Sequence, residues 1–159
     1  MGLIIIYHCF GGSHSSVTAA AVHLGLLGKN RIPSDEELMA IPYFDKTVNG
    51  DFGHIRFMGV DEYNNRIYVL GKKALGDRCN NTLIGIGRVL GSSEKVLPVN
   101  TMTSVNWLMK LGGFSSRRLG IVWPGRNLVS YGTRKAFFDL VNLVEITRLK
   151  SIQVEEMAI

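Results

Sequence analysis

The stretch of this chain best equipped for chemistry is Cys9-Phe10-Gly11-Gly12-Ser13-His14-Ser15-Ser16. Where a strand turns into a helix, small residues leave backbone N–H groups open, and those groups converge on negative charge. Serine hydroxyls add donors, and a histidine becomes cationic near pH 6–7. The pattern predicts that Gly11, Gly12, Ser13, His14, Ser15 and Ser16 bind a phosphate-type anion or a nucleotide, with Arg117, Arg118 and Arg126 adding charge. A tight, glycine-dependent turn capped by a serine, with no ligand, accounts for the same residues.

The kind of anion chemistry is narrowed by what is missing. A Walker A loop needs a glycine five residues before its Gly-Lys-Ser/Thr. Laying Ser13-His14-Ser15 over that triplet puts His8 in the first glycine's place and leaves no lysine, so this is not a standard nucleotide triphosphatase. Cysteine-based phosphatases, and the phosphocysteine components of sugar phosphotransferase systems, are closer. They place a cysteine at a strand end, before a loop of N–H donors that stabilises both thiolate and phosphoryl group. Cys9 holds that position, and Gly12, Ser15 and Ser16 resemble the phosphotransferase loop. The phosphatase pattern asks for an arginine six residues after the cysteine, where this chain has Ser15. Cys9 is thus a candidate catalytic nucleophile in phosphoryl or thiol chemistry, against the reading of a small buried hydrophobe.

Metal chemistry finds little support. His8, Cys9, His14, His54 and Cys79 form no pair with zinc-ligand spacing, and His8 and Cys9 on a strand point to opposite faces. No metal is assigned and the cofactor is unknown. His23 reads as a satisfied core or surface histidine, and Asp61-Glu62 as a solvated hairpin tip. Asn100, at a strand end where a metal-binding acid often stands, supplies no carboxylate.

The elements that must position these residues follow from pattern. Leu3 to His8 is a continuous β-branched run, as in a strand buried on both faces of a parallel sheet. Ser15 or Ser16 can cap a helix carrying Val17, Ala20, Ala21 and Leu24 on one face, with Gly28 to end it. Ser34 to Glu37 is a capping box before a short helix that Pro42 stops. Ile55–Val60 and Arg66–Leu70 flank an Asn/Asp turn and predict a hairpin. Asn80 to Leu90 has helical spacing; Val96–Val99 is a strand whose Pro98 suits a sheet edge. Ser104 to Leu111 predicts a helix closed by Gly112-Gly113. Gly120–Trp123 and Leu128–Tyr131 look like strands about a Pro124-Gly125 turn, and Thr133 to Lys150 is the last helix. Alternating strands and helices predict a single-domain layered α/β fold. Its central sheet is mostly parallel, with helices on both faces, a hairpin insertion, and a C-terminal tail over residues 151–159.

The whole chain has 159 residues and a formal net charge of +5, room for one domain. Its longest apolar stretches fall short of the roughly 20 residues of a membrane span. The opening residues lack the basic start of an export signal, so the expectation is a cytoplasmic protein with reduced thiols. Between Lys110 and Lys150 eight basic residues stand against Asp139 and Glu145. That surplus suits a small anionic ligand or an acidic protein partner. Nucleic-acid motifs are absent and no membrane partner is expected. The residues leave open whether the protein is an enzyme or a non-catalytic interaction protein using its basic face.

Beyond these readings, Ile4 to Ser16 resembles a bacterial family known as domain-of-unknown-function family 3189. The likeness extends to Ile41–Lys46, Ile55–Tyr63 and Leu108–Phe114, and so to most of the chain. The resemblance implies a compact bacterial cytoplasmic protein and supplies no catalytic residues.

Overall fold

A computed structural model describes residues 2–76, 78–91, 95–104 and 122–156. Strand β1 (Ile4–Cys9) leads into α1 (Ser15–His23) and the short α2 (Asp35–Ala40). Strands β2 (Ile55–Val60) and β3 (Arg66–Gly71), helix α3 (Arg78–Val89) and strand β4 (Val96–Asn100) follow, then α4 (Val122–Lys135) and α5 (Phe137–Glu156). The sheet order is β2-β3-β1-β4. β1 runs parallel to both β3 and β4, and β2 pairs antiparallel with β3. This is a single-domain α/β fold with a mostly parallel sheet.

The unbroken apolar run of β1 has its reason in the two faces it serves. Ile5 and Tyr7 enter a core with Ile67, Val69, α1 and α5. Ile6 turns the other way, to Leu70 and to Cys79 and Leu83 of α3. Pro98, which has no N–H for a ladder, is accommodated because β4 is an edge strand among the described residues. The capping box of α2 forms as expected: Glu37 N–H donates to Ser34 Oγ at 3.2 Å, and Ser34 N–H to Glu37 Oε2 at 2.8 Å.

The hairpin turn is knotted to the core. Asp61 accepts from the N–H groups of Tyr63 and Asn65 at 3.0 and 2.8 Å, while Asn65 Oδ1 accepts from Leu3 N–H at 2.7 Å. Asp61 Oδ2 also lies 3.0 Å from His23 Nε2, and Tyr7 Oη lies 2.7 Å from His23 Nδ1. Burial holds His23 below the usual imidazole range, that is, neutral. Its Nε2–H then donates to Asp61, and its Nδ1 accepts from the tyrosine hydroxyl. Asp61 is therefore a structural joint and not a solvated tip, and the partner of Glu62 is Arg148 on α5.

Several boundaries differ from expectation. α1 stops at His23, before Gly28. Gly25, at φ +70°, turns the chain, its N–H reaching Val22 O at 3.2 Å while Leu26 N–H reaches Ala21 O at 2.9 Å. This left-handed C-terminal motif needs glycine two residues past the last helical turn. Neither Ser15 nor Ser16 caps α1; His14 stands at that position, and no side chain caps it. Of the two strands expected about Pro124-Gly125, Val122, Trp123 and Leu128–Tyr131 are instead part of α4, and Gly120 and Ile121 lie outside the described residues. A proline in the first turn of a helix loses no hydrogen bond, so Pro-Gly reads equally as turn or as helix start. Burial of Val129, Ser130, Thr133 and Ala136 at helical spacing decides between them. The last helix begins at Phe137, leaving Thr133–Lys135 in α4, and it continues through 151–156. Residues 105–111, expected as a helix, lie outside the described residues, as do Arg117 and Arg118.

Candidate functional site

β1 ends at Cys9 among the carboxyl ends of the parallel strands, where open α/β sheets bind ligands. The loop from Phe10 to His14 is laid tightly over the end of β3. Lys72 N–H donates to Cys9 O and Lys73 N–H to Phe10 O, both at 2.9 Å. Gly12 has φ +67°, and a Cβ there would stand 2.4 Å from Gly71 N. No other residue fits. Gly11, Gly12, Ser13, Ser15 and Ser16 are all buried.

This packing turns donors inward, onto the cysteine. Gly12 N–H donates to Cys9 Sγ at 3.0 Å, and Ser16 Oγ lies 3.2 Å from the sulfur. Burial by itself pushes the Cys9 thiol up. The hydroxyl and N–H of Ser16, the Ser15 hydroxyl and the Gly12 N–H outweigh it, and the thiol is held below its ordinary value. Hydrogen bonds to the charged form have this effect because each is stronger to a thiolate than to a thiol. The Ser15 hydroxyl has one proton and two claimants: the Cys9 sulfur, and Thr101 Oγ1 at 2.9 Å. Thr101 in turn donates to His8 O at 3.1 Å, fastening the end of β4 to the end of β1. Ser13 Oγ is fully buried with no hydrogen-bond partner among the described residues, so it is a donor in reserve.

His14 sits at the rim. Its Nε2 is 3.0 Å from Asp45 Oδ1, and its ring meets Phe44 edge to face at 5.5 Å. Asp45 N–H also donates to Ser13 O at 3.1 Å. To make these contacts the chain takes positive φ at Tyr43 (66°) and Asp45 (50°), a conformation non-glycine residues seldom adopt. Strain of this kind, held by contacts to the cysteine loop, is the company functional loops keep.

The structure thus brings together Cys9, Gly11, Gly12, Ser13, His14, Ser15 and Ser16. Arg126 lies on α4, and its side chain is outside the described residues. Two other cations of the basic C-terminal region are neutralised within the chain, Arg134 by Asp35 at 3.5 Å and Arg148 by Glu62. Asp45, Thr101 and Met102, whose Sδ accepts Phe10 N–H at 3.2 Å, belong to the site but carry no local signal. Asp45 could have been noticed only as a carboxylate in a segment rich in apolar residues, and Thr101 only as a hydroxyl at a strand's carboxyl end. His8 is directed to the opposite face, with Nε2 2.6 Å from Asn80 Oδ1. Among the described residues no three His, Cys, Asp or Glu side chains are grouped to hold a metal ion, and no helix is long and apolar enough to cross a membrane.

Comparison with known proteins gives a family and no activity. The chain belongs to the family described as "Protein of unknown function (DUF3189)", whose model matches residues 4–149. No curated protein and no solved structure matches the chain.

Proposed function

We propose that this protein transfers a phosphoryl group through Cys9, the loop from Gly11 to Ser16 being the site of the phosphate-type anion. The observation that carries the reading is the convergence of the Gly12 N–H and the Ser16 hydroxyl on a sulfur that is buried and yet held below the ordinary thiol range. A cysteine kept for packing gains nothing from such donors; a nucleophile does.

In the forward step the Cys9 thiolate attacks phosphorus. An S–P bond forms, the P–O bond to the leaving group breaks, and the leaving oxygen keeps the electron pair and takes a proton from water. Donors already aimed at the sulfur then serve the phosphoryl oxygens one bond further out, and the unpartnered Ser13 hydroxyl adds another. When protonated, His14 supplies positive charge, stabilised in that form by Asp45. In the second step water or an acceptor hydroxyl attacks phosphorus and gives up its proton to solvent, the S–P bond breaks with its electron pair going to sulfur, and the thiolate is restored.

The test is incubation with acetyl phosphate, followed by mass spectrometry of the intact chain and its peptides under neutral conditions. One phosphoryl group on the Cys9 peptide is expected, lost in Cys9→Ser and kept in Cys79→Ser. Absence of label, or label elsewhere, rejects the reading.

A further inference from the structure

The donors around Cys9 do not all rest on the sulfur, and the exception is Ser15. Its hydroxyl is a donor to Cys9, yet Ser15 Oγ also lies 2.9 Å from Thr101 Oγ1. Thr101 Oγ1 donates its own proton to His8 O at 3.1 Å, and a carbonyl only accepts. A hydroxyl has one proton, so between the two side chains Ser15 is the donor and Thr101 the acceptor. Both are sealed from water, Ser15 at 1% and Thr101 at 0% exposure. The sheet sets this geometry. Pairing of β4 with β1 puts His8 opposite Asn100, and the next residues along the two chains are Cys9 and Thr101. The turn Thr101–Ser104 is fastened a second time where Met102 Sδ accepts Phe10 N–H at 3.2 Å. It is thus tied to the residues on either side of Cys9.

We propose that Thr101 is a positioning residue for Cys9, which holds the Ser15 hydroxyl off the thiol and yields it to the thiolate. The inference rests on the phosphoryl-transfer reading of Cys9 and names what regulates its nucleophile. A thiol is a weak acceptor, so the Ser15 proton stays with Thr101 while Cys9 is protonated. A thiolate takes that proton, because a hydrogen bond to an ionised acceptor is roughly twice as strong as a neutral one. The exchange costs little: Thr101 keeps its bond to His8 O and gives up only a donor to its own lone pair. As the S–P bond forms, the sulfur loses its charge, and the hydroxyl turns back to Thr101 or on to a phosphoryl oxygen. The titratable and charged groups of the neighbouring segments are directed elsewhere: His8 to Asn80, His14 to Asp45, and the Lys72 ammonium to Gly76 O at 3.1 Å. The leading influences on Cys9 are burial and neutral donors, and Thr101 governs one of those donors.

The experiment is a titration of the Cys9 thiolate by its ultraviolet absorbance against pH, in a Cys79→Ser background that leaves Cys9 as the only thiol. Thr101→Val keeps the shape and removes the hydroxyl, so the Ser15 proton has only the sulfur to serve. On the acid side of the midpoint it is expected to raise the thiolate fraction about fivefold, the effect of one neutral hydrogen bond. The lost bond to His8 O is common to thiol and thiolate and does not move the midpoint. Thr101→Ser should restore the parent curve, and Ser15→Ala should lower the thiolate fraction by about fivefold. Ser15→Ala/Thr101→Val should match Ser15→Ala within about twofold, because Thr101 acts through Ser15. The proposal is overturned by an unmoved or opposite curve in Thr101→Val, by Thr101→Ser behaving as Thr101→Val, or by a Thr101→Val shift that persists without Ser15. Should Thr101→Val fail to fold, Ser15→Ala decides, an unmoved curve again overturning the proposal. No phosphate compound enters this titration. If the curves move as expected while acetyl phosphate leaves Cys9 unlabelled, the phosphoryl reading falls and the control by Thr101 stands. If Cys9 is labelled while the curves do not move, the control by Thr101 falls and the phosphocysteine stands.

Discussion

Cys9 and Cys79 are both buried, on opposite faces of one sheet, and differ in almost everything that decides what a thiol does. Cys79 lies in the first turn of α3, packed with Ile6, Leu70 and Leu83. Burial pushes its thiol up, and the charge of Lys72 offsets only part of that. Cys9 suffers the same burial penalty, yet its thiol is pulled down. A first-turn position and a nearby lysine do not suffice for the one; directed N–H and O–H groups suffice for the other. The contrast teaches that ionisation in this fold is set by donors aimed at the sulfur, and that proximity of positive charge alone is a weaker influence.

Three measurements test whether the two thiols differ in this way. The largest effect is in alkylation by iodoacetamide near pH 7, where Cys9 should react on the order of a hundredfold faster than Cys79 in the native protein, since thiolate is the reacting species. The rapid phase should vanish in Cys9→Ser and persist in Cys79→Ser; faster labelling of Cys79 would reverse the comparison. Next, Ser16→Ala should slow Cys9 labelling about tenfold, because a hydrogen bond to a charged acceptor contributes about 1.5 kcal/mol or more. An unchanged rate would mean the amides of the loop act alone.

The smallest effect is on stability against pH, and the two cysteines contribute with opposite sign. Cys9 is held below its unfolded value, so the stability it contributes is complete above the ordinary thiol range, about 8.5, and is lost as pH falls through its folded value. Cys79 is raised, so above that range the unfolded chain ionises first and stability falls as pH rises. Urea midpoints between about pH 7 and 10 should therefore decline more steeply in Cys9→Ser than in wild type and less steeply in Cys79→Ser. Parallel curves for both variants would show the two thiols to be alike.

Residue order alone made most of the frame legible, because its signals are local. β1 is apolar on both faces, the Ser34–Glu37 box satisfies a helix end three residues away, and the Asn/Asp turn joins two strands next to it. The same locality explains the failures. Pro124-Gly125 suits a turn or a helix start, and only the buried face at Val129, Thr133 and Ala136 chooses the helix. Ser15 and Ser16 have the chemistry of caps. Their hydroxyls are taken up instead by Thr101, 86 residues along the chain, and by the Cys9 sulfur.

Residue pattern thus reveals the class of fold and marks the stretch of the candidate site: a two-faced strand running into cysteine, glycines and hydroxyls. Where those donors point depends on the packed fold. Gly12 is pressed onto Gly71, Asp45 is drawn to Ser13 and His14, and the end of β4 is tied to His8 through Thr101. Each of these contacts joins residues distant along the chain, so no window of sequence contains them. They exist because the close packing of β1 between β3 and β4 leaves the loop no room to lie otherwise.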